Sequence, residues 1–175
     1  MNTFHFQILD LILDSNECFE MKFSIFSELY SNEFFCSEMQ KNEITTRIID
    51  IILKSFQDPS ESSIKSILSF ILALSSHQTG CQLLNDEDLL QPFSQIFFLA
   101  SQKVLNLSLK ILINLTNARI EIPQPSLIVS CLMIDLLYSG FDIHPIIIAL
   151  RNIISISSTQ CVQEIDLQHS ILPLL

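Results

Sequence analysis

The stretch Val104–Asn117, VLNLSLKILINLTN, decides the fold. Leu105, Leu107, Leu109, Ile111, Leu112, Ile113 and Leu115 clothe most of a helix in apolar side chains. Lys103, Asn106, Lys110, Asn114 and Asn117 recur at steps of three or four and form one narrow polar stripe. Such a helix needs burial on nearly every side. An inner helix of a stacked helical array meets that need, because neighbouring repeats flank it and only one edge meets water.

The pattern recurs. Ile64–Ser76, IKSILSFILALSS, carries Lys65, Ser66, Ser69 and Ser76 as its stripe, interrupted by Ala73, and FSIFSELYSN carries Ser24, Ser27, Glu28 and Ser31. A fourth copy lies in ALRNIISIS. Aligning the copies places 45 residues between Leu29 and Leu74, 41 between Leu74 and Leu115, and 38 between Leu115 and Ile153. Periods of roughly 40–47 residues belong to arrays with two or three helices per repeat.

Between the copies, the chain supplies companion helices and breaks. Phe4–Leu13 reads as a helix ended by Asp14, Ser15 and Asn16, and a helix from about Cys18 to Tyr30 holds the first stripe. Asn32–Lys41 is predicted to hold a short helical turn and a loop. Glu43–Phe56 is strongly amphipathic, and Gln57–Ser63 reads as a loop in which Ser60 or Ser62 caps the next helix. His77–Leu84 is a short turn of helix, and Asn85–Asp88 puts acids ahead of a helix at Leu89–Ser101, where Pro92 fits the first turn. Pro123 and Pro125 open a helix running to Tyr138, Ser139–Gly140 stops it, and His144 and Pro145 open the fourth copy. The closing SILPLL resembles the start of a further helix.

With only two Gly and six Pro, the 175 residues hold too few turn formers for a sheet protein with many hairpins. Nineteen acids against nine bases give a net charge of −10, concentrated in residues 1–90. That balance disfavours nucleic acid, whose binding rests on neutralised phosphates, and favours a basic peptide or protein surface. Cys18, Cys36, Cys81, Cys131 and Cys161 are odd in number and widely spaced, as expected of reduced core residues in a cytoplasmic or nuclear protein. Met1–Asp10 lacks the basic region of a signal peptide. Ser66–Asn85 is uncharged but too polar for a membrane span, so no membrane is expected as a partner.

Helices ending in a Leu-x-Ser-like sequence (IILKSF, FFLASQ, LLYSGFD), a short loop, and a helix of the ILxNLTN type alternate along nearly the whole chain. In this the chain resembles the armadillo-repeat family, with HEAT arrays close beside it. The resemblance implies an all-α fold, a right-handed α-solenoid of about four armadillo/HEAT-like helical repeats in a single domain over 1–175. The units fall at about 3–39, 44–84, 85–122 and 125–165, with a partial unit at 166–175. Within the family the sequence is most similar to the importin alphas, whose third helices line a concave groove with asparagines that grip extended basic peptides. Asn114 matches that asparagine, as does Asn152 or Ser155 according to register, while Glu28 and Ala73 hold the position in the first two units. Where the family has a tryptophan four residues earlier, this chain has Ser24, Ser69 and Lys110, and ALRNIISISSTQCVQ resembles the family's ALR segment with Arg151 in place.

The expected partner face is therefore Ser24, Glu28, Ser69, Ala73, Lys110, Asn114, Arg151, Asn152 and Ser155. A protein or peptide, basic in character, is the expected occupant, and the function expected is that of a non-enzymatic interaction scaffold. A nuclear import adaptor is the narrower alternative and a helical enzyme the alternative of another class. No catalytic residue, cofactor or metal site is expected: there is no Gly-rich phosphate loop or nucleophile elbow, and His77 with Cys81 offers two metal ligands where four are needed. Asp86, Glu87 and Asp88 read as a charged helix start. The thirteen phenylalanines fall at helical spacings and are expected in the core. Ile171, Leu172, Leu174 and Leu175 are expected to be exposed and to mediate self-association.

Overall fold

The computed structural model describes residues 3–15, 18–39, 43–57, 60–85, 90, 102–138 and 142–157, and these form helices and no strand. The chain divides into two compact units, Met1–Leu89 and Leu90–Leu175. In the first, α1 is Thr3–Asp14, α2 Phe19–Tyr30, α3 Glu33–Met39, α4 Glu43–Gln57, α5 Glu61–Ser75 and α6 Gln78–Leu84. In the second, α7 is Gln102–Asn117, α8 Pro125–Tyr138 and α9 Ile143–Ile156.

The first unit is a trio of helices laid on a second trio. α1 packs on α4, α2 on α5 and α3 on α6, with α2 against α5 the most extensive contact. The aromatic spacing in α2 explains why. Phe19, Phe23, Phe26 and Tyr30 follow one helical face, and Phe70 of α5 enters among them, 5.6 Å from Phe23, 6.2 Å from Phe26 and 5.3 Å from Tyr30 between ring centroids, edge to face. Phe23, Phe26, Tyr30 and Phe70 are all buried. α2 and α5 run in the same direction: Ser62 bonds Glu20 near their starts, and His77, just past the end of α5, bonds the Tyr30 carbonyl.

Local chemistry sets the helix ends. Ser60 caps α5 by accepting from the Ser63 N–H at 3.1 Å, so the helix begins at Glu61, inside the loop expected over 57–63, of which residues 58 and 59 lie outside the described residues. Lys22 donates to the carbonyls of Leu13 and Ser15 at the end of α1, where a cation offsets the unpaired carbonyl dipoles. Arg47 of α4 bridges Asp10 and Asp14 of α1 across an exposed seam.

His77 and Cys81 are each spent on the backbone. His77 Nδ1 accepts from the Gly80 N–H at 3.1 Å and caps α6, so Nε2 carries the proton and donates it to the Tyr30 carbonyl at 2.9 Å. One ring thereby ties the end of α2 to the start of α6. Cys81 Sγ donates to the Ser75 carbonyl. Gly80 lies so close to the end of α5 that a Cβ there would fall 1.9 Å from the Leu74 carbonyl oxygen, and any side chain would force the two helices apart.

In the second unit α7 packs chiefly on α9, and α8 also packs on α9. Val104, Leu105, Leu109, Ile111, Leu112 and Leu115 of α7 are buried, as are Ile146, Ala149, Leu150 and Ile153 of α9. Leu74, Leu115 and Ile153, the positions aligned by the repeat, are at most 5% exposed. α7 ends in a Schellman motif: Ile120 N–H bonds Leu115 O and Arg119 N–H bonds Thr116 O, with buried Ile120 as the apolar closure. The left-handed residue this motif needs is Arg119, φ 60°, where glycine is usual. Asp142 caps α9 through the His144 N–H.

The expected helix at Leu89–Ser101 falls outside the described residues except for buried Leu90, as do Asp86–Asp88, Ser139–Gly140, Cys161 and the C-terminal Ile171, Leu172, Leu174 and Leu175.

Candidate functional site

Two polar hollows, one in each unit, take in part of the expected face. The first is a groove of about 420 Å3 between α2 and α5, lined by Glu20, Ser24, Ser27 and Glu28 on one wall and Ser62, Lys65, Ser66 and Ser69 on the other. On each helix these residues fall at steps of one, three or four, so the two polar stripes face a common trough above the buried aromatic cluster. Ser62 donates to Glu20 Oε1 at 3.0 Å and closes one end. Glu20 is held below the usual carboxylate range chiefly by its own backbone N–H and then by Ser62, so it stays charged while exposed to water. Ser27 and Ser69 turn their hydroxyl protons back to Phe23 O and Lys65 O, leaving lone pairs for a ligand.

The second hollow, about 530 Å3, lies at the C-terminal ends of α7 and α9 and is lined by Thr116, Asn117, Arg119, Glu121, Asn152, Ser155 and Ile156. Asn152 is buried and donates both amide protons, to Thr116 Oγ1 at 3.2 Å and Asn117 Oδ1 at 2.9 Å. It thus differs from the stripe residue expected of it: its amide nitrogen is spent on bonding α9 to α7, because on this register it points at the neighbouring helix.

Of the nine expected residues, Ser24, Glu28 and Ser69 line the first groove and Asn152 and Ser155 the second. Ala73, Lys110, Asn114 and Arg151 lie outside both; Lys110 and Arg151 are exposed, Ala73 and Asn114 half-buried. Arg119, Glu121 and Thr116 were not legible as site residues. They sit at and beyond the end of α7, where a stripe rule written for helix interiors no longer applies.

The cysteines divide by burial. Cys18 is exposed, contrary to the core role expected from its neighbours, because it stands just before α2 and its side chain makes no capping bond. Cys36 and Cys81 are buried; burial, then the nearby Glu33 and Cys81, push the Cys36 thiol up to about 12, and burial raises Cys81. Below an ordinary thiol value of about 8.5 folded and unfolded chains both keep this proton. Above it only the unfolded chain releases the proton, so stability falls as pH rises toward 12, by about 1.4 kcal/mol per pH unit for one group. Urea melts between pH 9 and 10.5 should show a loss of about 2 kcal/mol that Cys36→Ala reduces. Iodoacetamide mapping at pH 8 should label Cys18 well ahead of Cys36 and Cys81.

Among the described residues no group of three or more His, Cys, Asp or Glu could hold a metal ion, and no helix is long and apolar enough to cross a membrane. No protein family, curated protein or solved structure matches the chain.

Proposed function

We propose that the chain is a non-enzymatic protein-binding scaffold, a right-handed solenoid of armadillo- or HEAT-like repeats that takes an extended basic peptide or partner surface along its stripe-bearing helices. The observation that carries the reading is the α2/α5 groove, a trough whose walls are the polar stripes of two helices running in the same direction. The stacking of α1, α2 and α3 on α4, α5 and α6, each on its counterpart, supports the repeat architecture. So do the sequence separations of the bonded pairs, 42 residues for Glu20–Ser62 and 36 for Thr116–Asn152, which are close to one repeat.

Glu20 and Glu28 stand eight residues apart on α2, about 12 Å along the helix axis, a span of three to four residues of extended peptide. A peptide with Lys or Arg at that spacing meets both carboxylates, while its backbone reaches the serine hydroxyls between them. Fluorescence anisotropy with labelled Lys/Arg-bearing peptides and charge-reversed counterparts tests this. The basic peptides should bind, with affinity falling as salt rises. Glu20→Lys with Glu28→Lys should abolish the preference or invert it, without loss of helical signal. Equal binding of both peptide classes, or an unchanged preference in the double variant, removes the groove from consideration.

A further inference from the structure

The hollow at the ends of α7 and α9 differs in charge from the α2/α5 groove: it balances Arg119 against Glu121, where the groove sets Glu20 and Glu28 against Lys65. The Thr116 hydroxyl proton is committed to the carbonyls of Leu112 and Ile113, so Thr116 Oγ1 can only accept from Asn152. Asn152 must therefore present its Nδ2 toward α7, and both protons of that group go to Thr116 and Asn117. Asn117 must in turn present Oδ1 to Asn152. Two groups are left over: the Asn117 amide protons and Asn152 Oδ1. Among the described residues neither has a protein partner, and neither is a sealed buried atom. Together they offer a donor beside an acceptor, the complement of an amide.

The Arg119 side chain lines the same hollow, is exposed and, among the described residues, makes no ion pair or hydrogen bond. Its backbone is held at φ 60° by the Schellman bonds, a conformation costly for a residue with a side chain and free for glycine. Buried Ile120 and Ile122 alternate with exposed Arg119 and Glu121, so both charges stand on the outer side of this segment. Residues 91–175 carry five acids and four bases, so the acidic excess of the first half does not extend here.

We propose that this hollow binds a carboxylate adjoining a peptide amide, with Arg119 as the charge partner and the Asn117–Asn152 pair holding the amide. The carboxylate comes either from an acidic side chain or from a chain terminus. Arg119 forms a bidentate pair with the carboxylate, and the Asn117 protons and Asn152 Oδ1 meet the carbonyl and N–H of the flanking peptide unit. Glu121 limits the affinity by facing the same anion, so Glu121→Gln strengthens binding.

The test is an NMR titration of the full chain, reading the Asn117 and Asn152 side-chain amides and the Arg119 Nε–H. The probes are acetyl-Ala-Glu-Ala-amide for the side-chain source, acetyl-Ala-Ala-Ala with a free carboxyl end for the terminal source, and acetyl-Ala-Gln-Ala-amide as the uncharged isostere. Saturable shifts of all three groups are expected with one or both carboxylate peptides and not with the Gln peptide. Arg119→Gly separates binding from folding: because glycine relieves the left-handed backbone, the unfolding midpoint should rise by about 2–4 °C while the shifts with carboxylate peptides disappear. Equal shifts with the Glu and Gln peptides, or an Arg119→Gly chain that binds as before, overturns the proposal.

Discussion

Phe70→Ala destabilises the first unit by about 3–5 kcal/mol. Phe70 is 2% exposed and meets Phe23, Phe26 and Tyr30 edge to face, so truncation removes a buried ring and three aromatic contacts together. Each such contact contributes about 0.5–1.5 kcal/mol beyond the area it buries. The void cannot be filled cheaply, because its walls are rings fixed on α2. Phe34→Ala is the internal control: Phe34 is 70% exposed on α3, and its truncation should stay within about 0.5 kcal/mol. Urea unfolding followed by circular dichroism compares the two. A Phe70→Ala loss no larger than that of Phe34→Ala would mean that α2 and α5 are not packed through this cluster, and the groove above it would lose its floor.

The same residues show what was legible in the sequence. The apolar period of Val104–Asn117 and its copies gives the helices directly, since a helix buried on most sides can be encoded only by apolar residues on most sides. The Ser24, Glu28 and Ser69 stripe was legible for a related reason: polar residues at helical steps among apolar ones must share a face, and α2 and α5 turn those faces to one trough. Asn152 was legible only in part: it lines the second hollow, but composition cannot show that its amide nitrogen bonds the next helix, which depends on the stagger of α9 against α7. Arg119 was illegible for a stronger reason. Glycine or asparagine is the ordinary sign of a left-handed helix end, and arginine at that position conceals the Schellman turn from any reading of turn residues. His77 lay between these cases. Its spacing to Cys81 suggested shared chemistry, whereas each side chain is spent on a different backbone group.

Leu115→Ala should cost about 2–5 kcal/mol, and it probes the second unit as Phe70→Ala probes the first. Leu115 is fully buried one helical turn after Ile111 and Leu112, on the helix whose contact with α9 dominates its unit. Its carbonyl receives the Ile120 N–H that closes the Schellman motif, and alanine leaves that carbonyl in place, so the loss measures the side chain and not the turn. Leu74→Ala and Ile153→Ala occupy the aligned positions of the neighbouring copies and should fall in the same range, because both are buried. Lys110→Ala, exposed on the same helix as Leu115, should change stability by no more than about 0.5 kcal/mol. An unchanged dependence on urea across the series would show that the substitutions alter the folded core and not the breadth of the transition. A loss below about 0.5 kcal/mol at Leu115 would break the alignment of the three positions. The repeat of about 40 residues would then be a coincidence of composition, and the resemblance to stacked helical arrays would lose the register on which it rests.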